Sequence, residues 1–366
     1  MAKRLKDIYD RDFLRRFGGK VRSVYPSFDT AGFIRGVMDD GWENLALKAR
    51  IRKISLSLGA CLPEDYGEAV HILRAAAGDC AGFPYLFFPD FVVVYGLEKK
   101  RWKISLDALE LFTQKSSAEF AIRPFIRKDP DRILKRMLRW AQSPNEHVRR
   151  LSSEGCRPRL PWGEVLSAFK KDPAPVLRVL ELLKADPSLY VRKSVANNLN
   201  DISKDNPDLV LETVQRWKGK DPGTDWIIRH GCRGLIRKAD PRALDLFEYA
   251  GTAEGGVSQA VIRVRPARVA IGESCEIRYG IVVREGEAAR IRLEYAIDFV
   301  KARGRLSRKV FLLHDKTVQG GERIAGKRIH RWADLSTRRH YPGNHPILLL
   351  VNGREAAGTE IKLSAR

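Results

Sequence analysis

Three short segments each set an acidic residue inside a basic, helix-forming stretch. The first, Ser116-Ser117-Ala118-Glu119-Phe120-Ala121-Ile122-Arg123-Pro124-Phe125, carries Glu119. The second runs Arg149-Arg150-Leu151-Ser152-Ser153-Glu154-Gly155-Cys156-Arg157-Pro158-Arg159-Leu160-Pro161-Trp162. It puts Glu154 between two arginine groups, Arg149 and Arg150 before it and Arg157 and Arg159 after it, with Trp162 close behind. The third, Val195-Ala196-Asn197-Asn198-Leu199-Asn200-Asp201-Ile202, holds Asp201. Carboxylates in such surroundings have two explanations. One is structural: an ion pair or a helix cap. The other is chemical: a carboxylate stabilises an oxocarbenium-like sugar and aligns or deprotonates an attacking water. An exposed Trp would add a π face for a cationic base, a contact of about 0.5–2 kcal/mol. Other signatures are absent. There is no Gly-rich phosphate loop, no metal-ligand spacing and no Gly-x-Ser-x-Gly elbow, and the 7 histidines are dispersed and read as structural. Neither a metal nor a cofactor is expected.

The charge balance narrows the partner. Lys and Arg total 67 against 45 Asp and Glu, a formal net charge of +22 over 366 residues. Such an excess favours a polyanion, because each neutralised phosphate releases bound counterions. Nucleic acid, membrane headgroups and acidic proteins all qualify on charge alone. The most apolar stretch, Phe83 to Leu97, is broken by Pro84, Pro89, Asp90 and Gly96 and is too short to span a bilayer. The basic start Met1-Ala2-Lys3-Arg4-Leu5-Lys6-Asp7 has no apolar run behind it, so no signal peptide is expected. Five scattered cysteines without C-x-x-C spacing read as reduced, packed thiols, and the expected location is the cytoplasm.

These residues must be positioned by two kinds of element. Residues 1–250 show helical periodicity punctuated by Asp129-Pro130, Ser143-Pro144, Asp172-Pro173, Asp186-Pro187, Asn206-Pro207, Asp221-Pro222 and Asp240-Pro241. Each pair can start a helix, a capping side chain followed by a Pro suited to the first turn. Val148, Val191 and Ile228 recur at spacings of 43 and 37 positions, which fits HEAT-like repeats of helix pairs. The basic residues that follow them are Arg149 and Arg150, Arg192 and Lys193, and Arg229. They are expected near the concave face, as a groove for a duplex, or else as a solvated helix surface. Residues 251–256 read as a linker, and 257–366 switch to period two: an all-β, immunoglobulin-like sandwich of six or seven strands. That last third holds 22 Lys and Arg against 11 Asp and Glu, half of the chain's excess charge. Arg303 and Arg305, and Arg338 and Arg339, are expected on exposed loops that touch phosphates, unless the charge only solubilises the surface.

The three acidic segments resemble those of the AlkC-type alkylpurine DNA glycosylases, most specifically the run from Arg149 to Trp162. The order of an all-α HEAT-like solenoid followed by an immunoglobulin-like tail is similar to the longer branch of that family. The resemblance implies hydrolytic excision of N3-methyladenine and N3-methylcytosine from alkylated double-stranded DNA. It implies that Glu119, Glu154 and Asp201 form an acidic cluster beside sugar and base, with Trp162 against the lesion. It implies that Arg150, Arg157 and Arg159 grip the backbone, that the sandwich completes a ring around the duplex, and that the lesion is exposed in bent DNA rather than buried in a deep pocket. One copy suffices for such a clamp, so a monomer is expected. Two competing readings stand: a non-enzymatic helical scaffold that binds DNA or an acidic protein, and a relative that binds damaged DNA without cutting it. A scaffold has no use for three carboxylates that meet, so their convergence discriminates.

Overall fold

The computed structural model describes residues 4–249, 256–286, 288–335 and 338–365. Most of the expected linker, residues 251–255, lies outside the described residues. The chain divides into two compact units, Met1–Val210 with Trp217–Gly231, and Leu211–Arg216 with Cys232–Arg366.

Sixteen α-helices are found among the described residues. The first seven are α1 (Arg11–Val24), α2 (Thr30–Val37), α3 (Leu47–Cys61), α4 (Tyr66–Ala76), α5 (Phe87–Tyr95), α6 (Trp102–Phe112) and α7 (Arg123–Lys128). Then follow α8 (Pro130–Trp140), α9 (Glu146–Glu154), α10 (Ser167–Lys171), α11 (Ala174–Leu183) and α12 (Leu189–Ile202). The last four are α13 (Pro207–Trp217), α14 (Pro222–Gly231), α15 (Arg233–Arg237) and α16 (Pro241–Leu246). Pro130, Pro207, Pro222 and Pro241 each open a helix. Asp129 caps α8 through the Arg132 N–H, and Asn145 caps α9 through the His147 and Val148 N–H groups.

In the first unit α9, α12 and α14 lie side by side, backed by α8 and α11, a HEAT-like stack. Val148, Val191 and Ile228 are buried, as the repeat requires. The arginines beside them serve the repeat itself. Arg149 donates to the Ser143 and Pro144 carbonyls and, through Nε at 2.7 Å and Nη2 at 3.1 Å, to Asp186 of the next repeat. Arg192 donates to the Asp186 and Pro187 carbonyls.

The second unit is a two-sheet sandwich built from β1 (Val257–Arg265), β2 (Arg268–Ala270), β3 (Ser274–Val283), β4 (Ala289–Val300), β5 (Leu306–Val318), β6 (Arg323–Arg331), β7 (Gly343–Val351) and β8 (Arg354–Ser364). One sheet has the order β1-β3-β6, the other β2-β8-β7-β4-β5, and among these strand pairings β2–β8 is parallel and the others antiparallel. Ile277, Ile281, Ile297, Trp332, Ile347 and Ile361 belong to the core between them. Eight strands form among the described residues where six or seven were expected. The additions are the short β2 and the charged edge strand β6.

Helices α15 and α16, which periodicity alone groups with the solenoid, belong to the second unit. Glu294 of β4 is fully buried and accepts a 2.7 Å hydrogen bond from Arg292, while Arg237 of α15 reaches it at 3.5 Å. All five cysteines are unpaired thiols. No helix among the described residues is long and apolar enough to cross a membrane.

Candidate active site

The three carboxylates come from three segments: Glu119 from the turn before α7, Glu154 from the last residue of α9, and Asp201 from the end of α12. They converge. Two arginines join them into one chain of alternating charge. Arg150 Nη1 donates to Glu119 Oε2 at 2.8 Å, and its Nη2 lies 3.6 Å from Glu154 Oε1. Arg157 Nη1 donates to the same Glu154 Oε1 at 2.6 Å, and its Nε donates to Asp201 Oδ2 at 2.8 Å. Lys204 closes the chain on Asp201 Oδ1 at 2.8 Å.

Hydroxyls complete the acceptors. Ser117 Oγ donates to Glu119 Oε2 at 2.8 Å and Ser194 Oγ to Glu154 Oε2 at 2.5 Å. Glu154 and Asp201 are only 5% and 2% exposed. An isolated ionised carboxylate at such burial would cost several kcal/mol, roughly the penalty that paired guanidiniums offset. Burial pulls the Arg150 guanidinium down, but the charges of Glu154 and Glu119 outweigh it and hold it above its ordinary range. Arg157 is raised in the same way, burial opposing and Glu154 and Asp201 prevailing. Both arginines therefore stay cationic at any physiological pH. One acceptor is left open: Glu119 Oε1 takes no hydrogen bond among the described residues.

The resemblance implies that Arg150, Arg157 and Arg159 grip a DNA backbone. In the structure Arg150 and Arg157 are largely enclosed and committed to the carboxylates. Arg159 is more open and makes a bidentate pair with Asp205, 2.8 and 2.7 Å. Lys193 is exposed and Arg229 half-buried. In the sandwich, Arg303 and Arg305 are exposed in the β4–β5 turn. Arg338, half-buried, lays its guanidinium 4.5 Å over the Phe299 ring, and Arg339 is exposed beside Tyr341.

Glu119, Arg150, Glu154, Arg157, Trp162 and Tyr190 line an open cleft of about 670 Å³. Asp201 sits behind Arg157, outside that lining. Tyr190 underlies the network, its ring 4.7 Å from the Arg150 guanidinium and edge-on to His147 at 5.5 Å. Trp162 is 65% exposed, and its φ of 62° lies in the left-handed region, which a bulky residue adopts at a cost of order 1–3 kcal/mol. The loop 155–166 must therefore be held from outside. Lys48 donates to the Trp162 carbonyl.

Arg123, 1% exposed, does the larger share of that holding. It donates to the Gly155 carbonyl at 3.0 Å, the Arg157 carbonyl at 2.8 Å and the Glu164 carbonyl at 2.8 Å, so that one guanidinium spans the loop from end to end. Burial lowers its pKa to about 10, still protonated at neutral pH. Gly155 is required where it stands, since a Cβ there would lie 2.5 Å from Ile122 Cγ2. Arg123 and Ser194 lie inside or beside the acidic segments, yet nothing in their spacing marks their roles. Lys48 has no sequence signal at all.

Comparison with known proteins follows this geometry. A family model for "DNA alkylation repair enzyme" matches residues 113–235, which contain Glu119, Glu154, Trp162 and Asp201. A second, for the C-terminal Ig-like domain of protein YhaZ, matches residues 258–365. Protein YhaZ of Bacillus subtilis is 44% identical over 349 residues, 95% of this chain and 96% of its own length. The solved structure of Pseudomonas fluorescens alkylpurine DNA glycosylase AlkC, bound to DNA containing an abasic site analog, matches with a TM-score of 0.92 at 39% identity. That match covers 99% of this chain and 100% of the other. With its three carboxylates joined inside the matched segment and its whole length shared with that structure, the chain belongs to the AlkC family of alkylpurine DNA glycosylases.

Proposed function

We propose that this chain is a monofunctional DNA glycosylase that hydrolyses the N-glycosidic bond of cationic N3-methylated bases, N3-methyladenine and N3-methylcytosine, in alkylated duplex DNA. The observation that carries this reading is the convergence of Glu119, Glu154 and Asp201 through two buried arginines beside an exposed Trp. A binding scaffold would gain nothing from three acids that meet where phosphates are to be held.

The lesion's positive charge already weakens its bond to C1′. As that bond breaks, its electron pair leaves with the base and cancels the charge, while positive character grows on the sugar. Carboxylates fixed beforehand beside the sugar stabilise that charge without reorganising. Water supplies oxygen to C1′, and its proton passes to a carboxylate. Glu119 suits this task best, because it lines the cleft and its Oε1 is uncommitted, while Ser194 and the arginines occupy Glu154 and Arg157 with Lys204 occupies Asp201. Trp162 offers its indole face to the cationic base. The openness of the cleft supports catalysis on an exposed lesion rather than in a deep pocket. Arg159, Lys193, Arg303, Arg305 and Arg339 contact phosphates, whereas Arg149 and Arg192 act within the repeats.

The test is incubation of the purified protein with DNA treated with a methylating agent, followed by chromatography of the released bases. Free N3-methyladenine and N3-methylcytosine are expected. Methylated DNA left intact would overturn the proposal.

A further inference from the structure

We infer that the outward face of the sheet β1-β3-β6 is a second binding surface for the phosphate backbone of duplex DNA, separate from the loops that carry Arg303, Arg305, Arg338 and Arg339. The inference rests on DNA being this chain's ligand. It begins with register. Arg263 of β1 stands directly opposite Arg278 of β3, and Arg278 directly opposite Lys327 of β6. Neighbouring strands lie about 4.8 Å apart, so three cations are aligned across roughly 10 Å of one face. Like charges directly opposite each other destabilise a sheet. All three side chains are exposed, so none contributes to the core in return.

The surroundings extend the row. Alternation puts Cys275, Ile277, Tyr279 and Ile281 into the core, and Glu276, Arg278, Gly280 and Val282 outward. Opposite those outward positions stand Arg265 and Arg323, and Arg331 ends the same face. One carboxylate, Glu276, shares this face. It pairs with Arg278 and lies 3.4 Å from Lys327, leaving six cations against one acid. The row of cations borders a shallow depression of about 350 Å³ over Gly280, with Val261 and Val282 at its sides and Arg323 at its edge.

Gly280 supplies an independent observation. Glycine inside a strand weakens it and commonly marks close approach of another chain. Packing does not require it here, because a Cβ would meet its nearest neighbour, Val261 Cγ1, at an ordinary 3.4 Å. The gap over Gly280, flanked by Arg278 and Arg323, suits a phosphate backbone, with Val261 and Ile329 exposed beside it. Contacts to the backbone carry no sequence information, so the binding is expected to be independent of sequence.

The experiment uses the full chain, an undamaged 20-base-pair duplex as probe, and binding measured across a salt series. Each phosphate contact contributes about 0.9 to the slope of log affinity against log salt. The variant R263S/R278S/K327S is expected to lower that slope by about 2 to 3, with an unchanged near-ultraviolet spectrum showing that the sandwich is intact. The charge-preserving R263K/R278K is expected to keep the wild-type slope, and G280V to weaken binding by filling the gap. Equal slopes for the triple variant and the wild type would overturn the inference, whether or not the variant loses affinity for anionic phospholipid vesicles. Release of methylated base by the wild type, followed in the same preparations, reports on the glycosylase reading separately.

Discussion

Replacing Arg123 with Met tests whether the loop that carries Trp162 is held from beneath. Met fills a similar volume but donates no hydrogen bond. The Gly155, Arg157 and Glu164 carbonyls lose a donor that sits 1% exposed. Each buried carbonyl left without a partner costs about 1–3 kcal/mol, set against the relief of no longer burying a charge. A net loss of about 3 kcal/mol follows, which for a unit of 150–250 residues lowers Tm by about 6–12 °C. The effect on base release should be larger than the loss of folded protein explains. A displacement of about 1 Å in a positioning element can cost on the order of 100-fold in rate. Thermal unfolding by circular dichroism and single-turnover release of methylated base below the transition measure the two effects. R123K, which keeps the charge but not the fork, should fall between. An R123M protein that melts within 2 °C of the wild type, roughly the error of such a comparison, and releases base at the same rate would refute the reasoning.

Other outcomes follow from the same contacts. W162G relieves a left-handed backbone at an exposed position, so it should leave stability unchanged or raise it by about 1 kcal/mol while slowing base release; a simple loss of stability in urea melts would count against it. R149M removes the staple to Asp186 and should destabilise the helical unit by about 2–4 kcal/mol without changing the salt slope of DNA binding; a changed slope would restore Arg149 to the phosphate backbone. In the sandwich, burial holds the His330 imidazole down at about 4, below its ordinary 6.5. The folded state then binds fewer protons than the unfolded one, so the contribution is complete above pH 6.5 and is lost as pH falls toward 4. Wild type should lose about 1.4 kcal/mol per pH unit more than H330F in that window, read from denaturant melts; parallel curves would contradict it.

The local signals of the site were readable in the chain, and its connections were not. Each acidic segment sets a carboxylate in a helix-forming stretch, Glu154 between two arginine groups, and Val148, Val191 and Ile228 give the repeat that carries two of them. But Glu119 and Glu154 are 35 positions apart, and Glu154 and Asp201 are 47 apart. No spacing rule reveals that Arg150 and Arg157 bridge across segments, because the acids they meet come from distant parts of the chain. The partners of Arg149 and Arg192 are hidden for the same reason, because the helix-end carbonyls and Asp186 that they meet lie next to them only in the folded repeat. Strand β6 hides because an edge strand facing solvent holds Arg323, Lys327, Arg328 and Arg331, a composition that reads as loop. Helices α15 and α16 have ordinary helical periodicity. What ties the first of them to the sandwich is visible only in three dimensions: Arg237 reaches the buried Glu294, and the backbone of Ile236, Arg237 and Ala239 packs against Gly353.

The most direct test of the account compares Glu154→Gln with the wild type in two measurements on one methylated duplex: equilibrium binding, and single-turnover release of base. Gln keeps the shape and a hydrogen bond to Ser194 while removing the charge. The account predicts binding within a few-fold of wild type and release lowered by at least the roughly 100-fold expected of a lost charge-stabilising group. Release at the wild-type rate by a protein that binds normally would contradict it.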